Sequence, residues 1–259
     1  AIVAIPSVGQ KLGLTDNQAL FAIAGILIVI GTGLFLVRKN RLTGHSIWAH
    51  PHFSGATIAQ FMYVAAQSGI FAYFINYMTS QIPPVPESWT GGSLAKWFEP
   101  HANGTIGLSD AGASTLASVG FICFLAGRVI GAALLKKFPA AKVLAAFSVA
   151  AALCSLLVFL KLGWVSAVAL FVTYFFMSIM FPTIFSLGIH GLGRRAKKAS
   201  SFIVMAIMGG AIMPKLMGHV GDLHGMSVAF IVPITCFTLV CAYSILWPKL
   251  VGQTSPAAR

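Results

Sequence analysis

Seven runs of about twenty apolar residues, at about 17–38, 56–79, 110–134, 143–160, 164–187, 200–220 and 227–247, dominate this chain. A hydrocarbon core about 30 Å thick is crossed by about twenty residues of helix. Inside it no water pairs with free backbone groups, so each run must close its own hydrogen bonds as a helix. The alternation of a barrel strand is absent from these runs. The chain is 58% hydrophobic and 8% charged, with a mean hydropathy of +0.88, far too little charge for the surface of a soluble domain. An all-α membrane protein is the expected class.

A formal charge of +12 invites a nucleic-acid reading, but the cations sit in short clusters between apolar runs. That placement marks cytosolic loops of a membrane protein, and nucleic acid is not an expected partner. With the first span running outside to inside, the inner loops hold Arg38, Lys39, Arg41, Arg128, Lys136, Lys137, Lys142, Arg194, Arg195, Lys197, Lys198, Lys249 and Arg259. The outer side holds Lys11, Lys96, Lys161 and Lys215. This bias predicts an outside amino terminus and a cytoplasmic carboxyl terminus. The long outer connection, about residues 80–109, carries Glu87 and Glu99, and a short interfacial helix is expected near Leu94–Phe98. Trp48, Trp89, Trp97, Trp164 and Trp247 lie near predicted span ends, as an interfacial aromatic belt requires. The chain opens on Ala1 without a charged n-region, so a processed or truncated start is expected rather than a signal peptide.

Nothing in the sequence assembles an enzyme. Cys123, Cys154, Cys236 and Cys241 fall inside apolar runs and form no CxxC pair. No GxSxG, P-loop or HExxH motif occurs. His45, His50 and His52 cluster in a predicted cytosolic segment without a carboxylate or cysteine, and a flexible solvated loop is expected there. The expectation is no catalytic residue, no cofactor and no metal.

Four segments carry a family likeness: AQFMYVAAQSGIFAYFINYM (59–78), FLAGRVIGAALLKKFPAAKVLA (124–145), FMSIMFPTIFSLGIHGLG (176–193) and SSFIVMAIMGGAIMPKLMGHVGD (200–222). They resemble the fucose–proton symporter family of the major facilitator superfamily, which includes glucose and galactose carriers. The resemblance covers about residues 56–248. It implies the major facilitator fold, with seven transmembrane helices corresponding to helices 6–12 of a twelve-helix carrier. Residues 1–16 would be an outer loop or the remnant of helix five, and 17–38 helix six. Residues 39–55 would be the cytosolic linker between halves, 56–248 the carboxyl-terminal six-helix bundle and 249–259 a cytosolic tail. It further implies sugar transport across the inner membrane by alternating access, with a proton as coupling ion in the full-length carrier. The partners are then a sugar, the lipid bilayer and a missing amino-terminal half. A non-transporting structural or regulatory membrane protein derived from such a half is the alternative.

Within that frame, Gln60, Tyr63, Gln67, Phe71 and Phe74 follow helical spacing along one narrow face. Amides donate to and accept from sugar hydroxyls, while rings cover the apolar face of a pyranose. Interhelical hydrogen bonding and packing are the competing uses, and for Gln60 the competing use is favoured. Asn76, implied by the family resemblance, lies on the opposite side of an ideal helix, and a break near Gly69 would be needed to bring it round. Tyr174 and Phe181 share a face of the tenth helix with Met177 and Phe185, and Pro182 predicts a kink. The family resemblance implies a tyrosine in many relatives where this chain has Phe181, a departure that removes a hydroxyl. Gly209, Gly210 and Pro214 suit close packing and bending during rocking, and Arg128 sits far enough into its span to need an interhelical partner or to snorkel. Lys215 is a further cation expected to snorkel.

Overall fold

The computed structural model describes residues 47–85, 96–100 and 106–252. The predicted span at 17–38 and the tail beyond Gly252 lie outside the described residues. After a short 3-10 turn at Ile47–Ala49 comes helix α1, Pro51–Gln81. Pro51 opens it well, because its missing N–H is one the first turn of a helix cannot use anyway. The helix therefore starts at Pro51, ahead of the apolar run expected from residue 56, and it runs unbroken through Gly69.

Strands β1 (Phe98–Pro100) and β2 (Ile106–Leu108) form an antiparallel pair where a short interfacial helix was expected to end. Pro100, with no N–H to give, sits at the end of this two-stranded ribbon. Helix α2, Asp110–Lys137, follows directly, its first turn capped by Ser109 Oγ accepting from the Gly112 N–H at 3.1 Å. Then come α3 (Ala140–Phe159), α4 (Trp164–Met177), α5 (Met180–Ile189), α6 (Ala196–Met205), α7 (Gly209–His224) and α8 (Ile231–Gly252).

These helices make six spans, because α4–α5 and α6–α7 are each one span interrupted mid-membrane. The first interruption falls at Ser178–Ile179. Pro182 explains it: proline removes the bond to the carbonyl four residues back and its ring clashes with that carbonyl, here Ser178. The second is a 3-10 turn at Ala206–Met208, leading into Gly209–Gly210 and Pro214.

Helix α1 lies centrally, against α8, α7 and α5, while α3 packs between α8 and α4. Helix α2 leans on α4 along a glycine edge. A side chain at Gly127 would meet the Phe175 carbonyl and come within 2.7 Å of Ser178 Oγ, so no larger residue fits that contact. The opposite side of α2 exposes Ile122, Leu125, Val129 and Ile130.

Ser166 Oγ of α4 donates to the Leu157 carbonyl of α3 at 2.7 Å, and five further ties between helices have a ring residue donating to a backbone carbonyl. Tyr63 Oη donates to Met177 at 2.8 Å and Tyr77 Oη to Val158 at 2.9 Å. Tyr243 Oη donates to His52 at 3.3 Å, Trp247 Nε1 to Leu187 at 3.1 Å, and His52 Nε2 to His190 at 3.0 Å. Four of these carbonyls sit in the last turn of a helix or at its cap, where no intrahelical donor reaches them. The two ends of the bundle differ in charge. One carries Lys136, Lys137, Lys142, Arg194, Arg195, Lys197, Lys198 and Lys249; the hairpin end carries Glu99, Asp110 and Asp222 beside Lys96 and Lys161.

Candidate functional site

Midway along α1 the described residues gather an aromatic patch from three helices. Phe71 of α1 lies 4.9 Å from Tyr174 of α4, 5.2 Å from Phe121 and 6.2 Å from Phe124 of α2, between ring centroids. Tyr174 is buried, held edge-on between Phe74 and Phe121 at 5.6 and 5.8 Å. It fits against α2 because Gly120 lies beneath its ring. Phe121 itself is half exposed, so the patch opens to the side of the bundle that α2 borders.

Gln67 lies one turn before Phe71 on α1, half-buried, and its amide makes no hydrogen bond among the described residues. It lies one helical turn from the aromatic patch. Tyr63 and Phe181 lie one turn further along, their rings 6.3 Å apart. Tyr63 is fully buried and its hydroxyl proton is spent on the Met177 carbonyl, which the break at Ser178 leaves without an intrahelical donor.

The structure thus brings Tyr63, Gln67, Phe71, Tyr174 and Phe181 together along α1 and the α4–α5 break. It does not bring Asn76 with them. Because α1 is unbroken at Gly69, Asn76 stays exposed on the other side, its carbonyl accepting from Ser80 Oγ at 2.5 Å. Arg128 is exposed on α2 with its guanidinium 5.5 Å from the centre of the Phe124 ring. Gly209 and Gly210 pack α7 onto α1; a side chain at Gly210 would come within 2.5 Å of Ser68 Oγ. Pro214 lies within α7, and Lys215 beside it is exposed.

Phe121 and Phe124 were not among the sequence candidates. Their spacing with Arg128 along α2 was the available signal, but aromatic residues are common in any span and only the contact with Tyr174 singles them out. The expected flexible histidine loop is also corrected at His50 and His52, while His45 lies outside the described residues. His52 is buried within the first turn of α1, and His50 caps that helix with Nδ1 buried. Pro51 starts the helix there, which docks both rings on the bundle rather than leaving them in solvent.

No family model matches the sequence. The L-fucose-proton symporter of Escherichia coli K12 is 37% identical over 195 residues, covering 74% of this chain and 39% of that protein. A glucose/galactose transporter of Brucella abortus is 28% identical, covering 79% of this chain and 44% of the relative. The crystal structure of the major facilitator superfamily transporter FucP in the outward conformation superposes with a TM-score of 0.66 at 34% identity. The chain is a homologue of major facilitator sugar transporters. Its match covers 76% of this chain and 42% of FucP, in the carboxyl-terminal half of that transporter. The major facilitator fold follows directly, and so does a multi-pass membrane protein. The chain spans about two fifths of the length of the relatives it matches. These homologues are transporters rather than enzymes.

Proposed function

We propose that this chain supplies the carboxyl-terminal half of an inner-membrane carrier for a hexose or deoxyhexose such as fucose, glucose or galactose. The observation that carries the reading is the half-buried amide of Gln67, unpaired among the described residues, beside the Phe71–Phe121–Tyr174 patch, on a chain 37% identical over 195 residues to an L-fucose-proton symporter. A sugar ring would stack on the aromatic face while Gln67 exchanges hydrogen bonds with its hydroxyls. Phe71, Tyr174 and Phe181 shape the floor, and Tyr63 positions it by holding the α4–α5 break. Asn76 belongs to the site only if α1 bends on closure.

In this reading residues 17–38 form helix six, the segment from 39 up to the start of α1 at Pro51 joins the halves, and the basic end faces the cytoplasm. An amino-terminal half closes the other side of the sugar, and the two rock about it in alternating access. The described acids, Glu99, Asp110 and Asp222, all lie at the hairpin end, so a proton-binding carboxylate at mid-membrane comes from the partner half. Gly209, Gly210 and Pro214 let α7 slide and bend against α1 as the halves rock, and Arg128 shields the edge of α2.

The test is uptake of radiolabelled fucose, glucose and galactose into proteoliposomes holding this chain joined to an amino-terminal half. Gln67→Ala is expected to raise KM about tenfold, the worth of one hydrogen bond of about 1.4 kcal/mol. Uptake with unchanged KM removes Gln67 from the site.

A further inference from the structure

The basic end of the bundle holds a histidine cluster that sugar transport leaves unused. His52 is 2% exposed and its Nε2–H donates to the His190 carbonyl at 3.0 Å, tying the start of α1 to the cap of α5. The other ring nitrogen of His52, and Nδ1 of His50, are buried without a hydrogen-bond partner. The two rings stand edge to face at 5.6 Å. Beside them Trp48 packs on Phe53 of α1 and Phe202 of α6, with centroids 5.0 and 5.2 Å apart.

We infer that His50 and His52 form a proton-operated latch holding the start of α1 and the segment before it onto the α5–α6 connection. Neutral, the two imidazoles fit the site they occupy. A proton on the second nitrogen of either ring adds a buried N–H with no acceptor, a loss that desolvation makes costly. It also adds charge where no described carboxylate opposes it. The groups that contact or act on the cluster are His190 at the cap of α5, Arg195 in the connection and Tyr243 on α8, while Arg194, Lys197, Lys198 and Lys249 add positive charge at the same end of the bundle. Among the described residues no carboxylate lies at this end.

Burial, and then the charge of Arg195, hold His50 below its ordinary value of 6.5. The unfolded or undocked chain therefore binds the proton more readily than the docked one. The stability contributed is fully present above that ordinary value and is lost as pH falls toward the depressed one. Acid on the side of the membrane that the basic end faces releases the latch. Because this segment precedes the first helix of the bundle, its release frees the connection to whatever lies before it.

The full chain in lipid nanodiscs tests this, with Trp89, Trp97, Trp164 and Trp247 replaced by phenylalanine so that Trp48 alone reports. Collisional quenching of Trp48 is expected to rise about twofold or more as pH falls from about 8 to about 5, the interval in which imidazoles titrate. His52→Gln, whose amide nitrogen stands in for Nε2 but cannot titrate, is expected to flatten that rise. Arg195→Gln removes one of the two causes that hold the docked His50 below its ordinary value, and so is expected to move the midpoint to lower pH, which a purely structural role of these residues would not do. No rise in the parent, the same rise in His52→Gln, or an unmoved midpoint in Arg195→Gln each overturns the latch; if His52→Gln does not fold, the Arg195→Gln midpoint decides.

Discussion

Gln60 occupies the stripe of α1 that faces α5. One turn before it, Ala56 touches the backbone at Gly188, and one turn after it Tyr63 bonds to Met177. Its amide is fully buried, and neither its nitrogen nor its oxygen finds a partner among the described residues. Leaving a buried polar group unpaired costs about 1–3 kcal/mol. Gln60→Met, nearly the same shape without the polar atoms, is therefore expected to stabilise this conformation by about that amount. Thermal unfolding in detergent checks it: a lower melting temperature would mean that the amide is paired. Sequence reasoning set Gln60 aside as an interhelical hydrogen bonder, because residue type states a need for partners and not whether they are met. Gln67 was legible for the opposite reason, since its periodicity with Phe71 alone placed it on a shared face. The role of His52 was hidden because its acceptor is a carbonyl 138 positions away.

At the scale of elements, the spans were readable because lipid permits nothing else to apolar runs of that length. The break at Ser178–Ile179 was readable as well, since Pro182 dictates it. The β1–β2 ribbon was not, because its pairing depends on backbone partners across a turn and leaves little periodicity in three-residue strands. The glycine edge of α2 shows how narrowly one element can be held. Gly127→Val forces a branched side chain against the Phe175 carbonyl and Ser178 Oγ, and is expected to destabilise the bundle by about 1–3 kcal/mol. Thermal unfolding reads that loss, with Ala126→Val on the exposed side of the same helix expected to leave the melting temperature unchanged.

For the whole molecule, the charge difference between its ends makes orientation testable. In a background without the four native cysteines, Lys198→Cys and Asp110→Cys place thiols at exposed positions on the basic and hairpin ends. A membrane-impermeant maleimide added to intact cells is expected to label Asp110→Cys and to spare Lys198→Cys until the membrane is opened. The reverse pattern would invert the orientation proposed above. The five ring-to-carbonyl ties bear on how this architecture drifts among its homologues. Each is written into the chain at one position only, since every residue type except at its side chain offers the same carbonyl. The acceptor positions 158, 177, 187 and 190 are thus free of any polar requirement, while Tyr63, Tyr77, His52 and Trp247 carry the whole tie. Pairwise covariation across an alignment should therefore miss the polar contacts that bind these helices, and register them as solitary invariant rings.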